Sequence, residues 1–458
     1  MKYSRSQTHW KVHRVPALRF EDQRLTSFSG LVVLQALFAR LGLKERLRTC
    51  FHHLPVQSIF GHASIVLHLV VHVLLGFREL RDSRYYRDDP MIKRVLGLRR
   101  LPDVATISRA LKHADARSAD NLRRVIRRLV LERLVPLGLR RLTLDFDGSV
   151  LGTRRWAEGT APGYNKKRKG ERSYYPLFCT LAQTGQVFDV LHRSGNVHDS
   201  NGARLFILAC LRAIRAVLPQ VQIEVRMDSA FFSDEIVAEL QRQGVEFTIS
   251  VPFERFVQLK QLIETRRRWR RFNDEWSHFE SRWKPKVWQQ RFRFVFIRRI
   301  VRQQHKEPVQ LDLFVPYVCG YEFKVIVTNK SVRTSKVLAF HNGRGSQEGI
   351  LGELKSQVQA DYVPVRTWVG NRLWLLAGML AHNLVREMQM MAQPKARGTT
   401  EKRAALWVFE QVSTIRRNLL QRAGRLTRPR GELTLTMGAN AAVKQQLLQY
   451  LAALKPAA

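Results

Sequence analysis

Three acidic residues sit in surroundings suited to metal-assisted chemistry. Asp147 follows the apolar run of LDFDGSV, Asp228 ends VQIEVRMD, and Glu348 lies inside FHNGRGSQEGILGELK. The first two close strand-like segments, and in open α/β sheets functional groups gather at the carboxyl ends of strands. Three carboxylates converging there would hold two divalent metal ions for in-line phosphoryl displacement, one ion activating the attacking oxygen and the other stabilising the leaving one. Hard oxygen ligands of this kind suit Mg²⁺, with Mn²⁺ able to substitute. Arg344 and Lys355 lie four residues before and seven after Glu348. Those spacings put all three near one helical face, where the two cations could hold phosphates beside a scissile bond.

Other polar residues compete for these roles or border them. Asp145 alternates onto the same strand face as Asp147 and is the rival for the first ligand. Asp199 and Asp234 precede helical segments and read as N-caps, and Glu353 reads as solvent-facing. The segment GTRRWAEGTAPGYNKKRKGERSYY carries Lys166, Lys167, Arg168 and Lys169 between β segments. It reads either as a basic hairpin loop gripping DNA or as a solvated loop.

The elements that must position these residues follow from periodicity. Residues 1–137 read as a helical DNA-binding and dimerisation region, with apolar positions three and four apart at Leu31, Leu34, Leu37 and Phe38, and again at Ile65, Leu69 and Val73. Within it, LPDVATISRAL has Asp103 or Thr106 as a cap and is either a DNA-reading helix or a solvated one. From residue 138 the pattern becomes β-rich: RLTLDFDGSV, YYPLFCTLA and QVFDVLHRSG, then the helix ARLFILACLRAIRAVLP, the strand VQIEVRMD, the helix SDEIVAELQRQG and the strand VEFTISV. That βββαβαβ order is that of a ribonuclease-H-like sheet, and the catalytic domain is expected to span 138–395.

Residues 258–334 read as a β-rich insertion. Between Arg266 and Arg302 it holds Trp269, Trp276, Trp283 and Trp288 among thirteen Lys or Arg, a mixture that suits either bases stacked on rings or an aromatic core with a basic exterior. Helix returns at 346–357 and 371–391, the latter with a stripe of Leu373, Leu376, Ala377, Leu380 and Leu384, and residues 396–458 read as a basic helical tail.

Length and charge bound the function. The chain has 458 residues, enough for two or three domains, and its 45% hydrophobic and 25% charged composition is that of a folded protein. Against 38 Asp+Glu stand 78 Lys+Arg, a formal net charge of +40, which calls for a large acidic partner, nucleic acid first. The longest apolar stretches fall short of the roughly 18–20 residues of a span, so no membrane partner is expected. The N-terminus lacks a signal-peptide pattern, and cysteines 50, 179, 210 and 319 show neither paired nor zinc-like spacing. The expected setting is cytoplasmic and nucleoid-associated.

On these motifs the chain resembles the DDE transposases of insertion sequences, within the IS4-like group and closest to its IS1380 family. In that group the first Asp is followed by a small residue and Thr or Ser, as in LDFDGSV, and the second lies in a strand–Asp–Ser–x–Phe context, as in VRMDSAFF. The third belongs to a Y-x₂-R-x₃-E-x₆-K signature, matched by Arg344, Glu348 and Lys355, with His341 where the signature has Tyr. The resemblance covers residues 25–395. It implies that Asp147, Asp228 and Glu348 are catalytic and metal-binding, that Arg344, Lys355 and His341 contact phosphate, and that Gly148 and Ser149 favour Asp147 over Asp145. It also implies DNA partners, namely terminal inverted repeats and target DNA, and a homodimer in the synaptic complex. Two other readings remain: a catalytically inactive, transposase-derived DNA-binding protein, and a haloacid-dehalogenase-like phosphatase in which DFDGS would supply Asp145 as nucleophile.

Overall fold

The computed structural model describes residues 17–55, 59–165, 168–300 and 320–455. The strand β1 (Leu25–Thr26) is followed by six helices, α1 (Leu31–Arg40), α2 (Leu43–Phe51), α3 (His62–Leu74), α4 (Pro90–Leu96), α5 (Val104–His113) and α6 (Ala116–Leu134). The caps are those the residue types call for. Asp103 accepts the Thr106 N–H at 2.7 Å to start α5, and Asp115 accepts the Ser118 N–H at 2.8 Å to start α6.

The next segment builds a sheet: β2 (Arg141–Gly148), then β3 (Leu151–Thr153), β4 (Ala161–Pro162) and β5 (Arg172–Tyr174) as a small side sheet, then β6 (Leu177–Leu181) and β7 (Val187–Leu191). There follow α7 (Ala203–Arg215), β8 (Gln222–Met227), α8 (Asp234–Arg242), β9 (Glu246–Ser250), α9 (Val257–Glu264), β10 (Arg270–Arg271), β11 (Trp276–Trp283), β12 (Phe292–Ile300) and β13 (Tyr321–Thr328). The described strands form a nine-stranded mixed sheet in the order β10-β11-β12-β13-β9-β8-β2-β6-β7. Only β2 with β8 and β8 with β9 pair in parallel.

The strands of 258–334 therefore continue the main sheet outward from β9 through β13 instead of folding into a subdomain of their own. The expected strand VQLDLFVPYV lies outside the described residues. The tryptophans here serve the core: Trp288 is buried, while Trp269, Trp276 and Trp283 are half-buried against sheet residues. These rings pack on the sheet, and Trp269, Trp276 and Trp283 each keep part of their surface open.

The sheet has two unlike faces. Leu142, Leu144 and Phe146 on β2 and Val225 and Met227 on β8 pack with Phe206, Ile207 and Ile236 of α7 and α8. The opposite face carries Thr143, Asp145, Glu224, Arg226 and Thr248, all buried. A polar row of this kind would read as solvent-facing. It is instead roofed by α10 (Thr334–Asn342), α11 (Gly345–Gln357) and the segment 396–411, whose Arg403 reaches Glu224 at 2.8 Å and whose Lys402 carbonyl accepts from Arg226 at 2.7 Å. Burying these groups is tolerable because each is paired.

The helix α12 (Trp368–Ala392) is buried almost all round and packs against α3, α5, α6 and α14. After α13 (Val412–Ile415), the C-terminal segment forms β14 (Gly424–Thr427), β15 (Thr434–Met437) and α14 (Ala441–Leu454). β14 pairs with β1, and α14 packs on α1 and α12, so these residues close the helical region and are not the helical tail expected. Among the described residues no helix is long and apolar enough to cross a membrane.

Candidate active site

Parallel pairing sets Phe146 opposite Met227, so the next residues, Asp147 and Asp228, emerge side by side at the carboxyl ends of β2 and β8. Asp228 is fixed by accepting the Ala230 N–H at 3.0 Å. Asp147 accepts from Arg344 Nη1 at 3.2 Å. Burial, then the Asp228 charge, push the Asp147 carboxyl up to about 7, with Asp199 adding to the rise and Arg344 opposing it. Asp228 is raised too, by burial first; Asp199 adds to this and Arg344 opposes it.

Arg344 and Glu348 come from α11. Arg344 is the residue before its first turn, and its Nη2 lies 3.6 Å from Glu348 Oε1, so one guanidinium spans Asp147 and Glu348. Glu348 is the most open of the three acids, with 67% of its side chain exposed. Lys355 is half-buried in the last turn of α11. The helix is held to the sheet by Gln347, whose Nε2 donates to the Asp145 carbonyl at 2.8 Å.

On its far side, Glu353 is buried, paired with Arg386 and 3.5 Å from His382, and accepts the Val412 N–H at 2.6 Å. The solvent-facing role expected for it is overturned, because α12 and the C-terminal segment cover that face. Lys324 is a further cation that sequence reasoning passed over. It donates to Asn342 Oδ1 at 3.3 Å, and burial, then Arg344, push its ammonium down to about 8.

Sequence reasoning also missed Asp199. It caps nothing: α7 begins after Gly202 with no side-chain cap. Asp199 Oδ2 accepts the Tyr175 hydroxyl at 2.8 Å and Oδ1 accepts from Arg193 Nη2 at 3.2 Å. Arg193 also donates to the His198, Asp199 and Asn201 carbonyls, so the whole loop wraps one guanidinium. A Cβ at position 148 would collide with Asp199 Oδ1 and lie 2.6 Å from Tyr175 Cζ, which is why glycine follows Asp147. An acid beside Ser200, Asn201 and Gly202 looks like a helix start; only the fold turns it toward the strand ends. Asp234 is likewise not a cap, since Ser233 caps α8.

Two further expectations change, and part of a third lies outside the described residues. Asp145, the rival first acid, is 1% exposed and gives both oxygens to Arg226, at 2.5 and 2.7 Å. That pairing removes it as a metal ligand and as the nucleophile of the phosphatase reading. His341 is interior: its ring nitrogens lie 3.0 Å from Thr248 Oγ1 and 2.9 Å from Ser250 Oγ, and burial holds the ring neutral. It therefore does not reach phosphate. Lys166 and Lys167 lie outside the described residues, while Arg168 and Lys169 are exposed between β4 and β5, which form a hairpin.

The donor set fits a hard divalent cation. Asp147 and Asp228 are adjacent, mostly buried carboxylates that repel each other, and a cation relieves that repulsion. Among the described residues no three His, Cys, Asp or Glu side chains already stand close enough to hold an ion, and Glu348 comes from a different element, α11.

No curated protein matches the chain in sequence. Among solved structures it is similar to the piggyBac transposase synaptic complex with hairpin DNA (11% identity, 86% of this chain and 79% of that one, TM-score 0.42). It is also similar to the Mos1 transposase paired-end complex with left transposon end (9%, 43% and 60%, 0.18) and to the Mos1 mariner paired-end complex with Mn (10%, 43% and 60%, 0.18). The family profile described as Transposase DDE domain group 1 matches residues 10–458, essentially the whole sequence; the chain belongs to the DDE transposase family.

Proposed function

We propose that the protein is a cut-and-paste transposase of an insertion sequence, of the IS4-like group and nearest its IS1380 family. It binds the terminal inverted repeats of its element, cuts at their ends and joins the freed ends to target DNA. The strand order β7-β6-β2-β8-β9, with β2, β8 and β9 parallel, is the arrangement expected of a ribonuclease-H-like core. The observation that carries the reading is Asp147 beside Asp228 at parallel strand ends, with Arg344 and Glu348 brought to them by α11.

Asp147, Asp228 and Glu348 would hold the divalent cations, Mg²⁺ by preference with Mn²⁺ substituting. When bound, the cations supply Lewis-acid stabilisation of the attacking and leaving oxygens. Arg344 and Lys355 orient the scissile phosphate, and the +40 charge provides salt-sensitive affinity for the rest of the DNA. In the first step water attacks the phosphodiester, forming one P–O bond and releasing the 3′-oxygen, which leaves as the 3′-hydroxyl. In the second step that hydroxyl attacks target DNA. Two ends imply two copies in the synaptic complex, acting on chromosomal DNA in the cytoplasm.

The test is excision in cells of a marker flanked by the DNA ends bordering the gene, with wild type beside Asp147→Ala, Asp228→Ala and Glu348→Ala. Wild type alone should excise. Excision by any of the three variants would remove that residue from the catalytic set, and a wild type that binds the ends without excising them would overturn the enzymatic reading.

A further inference from the structure

Trp156 is the one exposed tryptophan among the described residues, with 59% of its surface open. It stands in the connection between β3 and β4, immediately after the exposed Arg154 and Arg155. An indole left in water forgoes a large apolar burial, and a flexible loop would let it fold back. This loop is pinned on both sides. The Arg155 N–H donates to Thr153 Oγ1 at 3.2 Å before the ring. After it, the Glu158 N–H donates to the Arg366 carbonyl at 2.8 Å, Glu158 Oε2 accepts the Trp368 N–H at 2.8 Å, and the Glu158 carbonyl accepts the Tyr174 hydroxyl at 2.6 Å. Ala157 and Thr160 are buried, and Gly159 (φ 73°) lies against the Trp368 ring where any Cβ would clash. The indole is thus held outward by a built support.

Cations flank the ring itself, since Arg154 and Arg155 are exposed beside it and Arg366 is exposed as well. Arg155 bears on the Tyr362 hydroxyl, where Glu79 opposes it, and the Arg78 and Arg81 of that neighbourhood are paired with Asp361 and Glu79. The platform is also tied to the strand ends. Trp156 lies eight positions after Gly148, a reach of no more than about 28 Å, and the strand β5 of the same small sheet leads directly to Tyr175, which holds Asp199. A second copy of this chain is a poor occupant, because it would set arginine against arginine in a protein of charge +40. A rigid, open ring flanked by cations matches a nucleotide: the ring takes the base face and the guanidinium groups take the adjoining phosphates.

We propose that Trp156, with Arg154 and Arg155, is a stacking platform for an unpaired DNA base in a single-stranded segment next to the cleavage site. This rests on the transposase reading and adds a DNA contact to it. The test uses the full chain with two probes that share one duplex, one blunt and one carrying a short single-stranded extension with 2-aminopurine as its first unpaired base. Wild type should quench the 2-aminopurine emission and bind the extended probe about tenfold more tightly than the blunt one, the scale of one base stacked on an aromatic ring.

Trp156→Ala should lose the quench and the preference while keeping wild-type affinity for the blunt probe, which also reports that it is folded; Trp156→Phe should retain most of both. A Trp156→Ala protein indistinguishable from wild type on both probes overturns the platform. Equal loss on both probes makes Trp156 a duplex contact and overturns the unpaired-base assignment. Unchanged DNA binding with a shift from dimer to monomer in sedimentation makes this face a protein interface. A wild type that binds neither probe sinks the transposase reading itself, a failure separate from that of the platform.

Discussion

Replacing Asp147 by Asn should abolish strand cleavage and yet make the metal-free protein more stable. Its carboxyl is raised from 3.8 to about 7, by burial first and then by the Asp228 charge, with only 18% of the side chain exposed. Because the folded chain holds this proton more tightly than the unfolded one, ionisation costs stability. The deficit is absent below about pH 4, grows as pH rises toward 7, and is complete above 7. The rise spans roughly three pH units at about 1.4 kcal/mol each, so the full deficit is on the order of 4 kcal/mol.

With an unfolding entropy of roughly 2.1 cal/mol/K per residue, a chain of this length changes Tm by about 1 °C per kcal/mol, so the gain is about 4 °C at most. The assay is thermal or denaturant unfolding of wild type and Asp147→Asn in EDTA at pH 4.5, 6 and 8, repeated with Mg²⁺. The variant should exceed wild type by only about 1 kcal/mol at pH 4.5 and by the full deficit at pH 8, and Mg²⁺ should stabilise wild type more than the variant. A variant less stable than wild type at pH 8 in EDTA, or a difference that does not change with pH, refutes the electrostatic account of the site.

Three other perturbations test the frame around the acids. Glu353→Ala leaves Arg386 buried without its carboxylate and the Val412 N–H without its acceptor; it should lose about 3–5 kcal/mol of stability by denaturant unfolding, and a loss under 1 kcal/mol would mean that face is open to water. Gly148→Ala pushes a methyl group into the Tyr175–Asp199 pair; it should cost about 1–3 kcal/mol and suppress excision, and an active variant would show that the pair is not needed where it stands. Burial lowers His68, His72 and His192 to about 3, below the unfolded value of about 6.5. Stability is therefore complete above pH 6.5 and falls with pH, by about 2 kcal/mol per histidine at pH 5. Below 4.5 Glu224 should add to this loss: burial pushes it up, but Arg403 and Lys330 outweigh that and hold it at about 2. Equal stability at pH 7.5 and 5 would refute the assignment of neutral interior rings.

The elements were largely legible because their signals are local. Strand alternation and length marked β2, β6, β7, β8 and β9 and the helices between them, and the acids at 147 and 228 could be placed at strand ends before any pairing was known. The spacing of Arg344, Glu348 and Lys355 on one helix was equally local, as was the net charge that calls for nucleic acid. What tertiary structure decided was which polar residues face inward. Asp145 and Asp147 share a strand face and look equivalent in sequence; only the neighbouring strand, with Arg226 opposite Asp145, separates a structural ion pair from an open carboxylate. His341 and Glu353 became interior because the sheet, α12 and the C-terminal segment close over them, contacts that span 33 to 93 positions. Asp199 joined the site because a loop wraps Arg193, which no periodicity announces. Local pattern specifies what an element is. Burial and pairing of its polar groups depend on chain segments far away in sequence, and those two quantities set the electrostatics on which the chemistry rests.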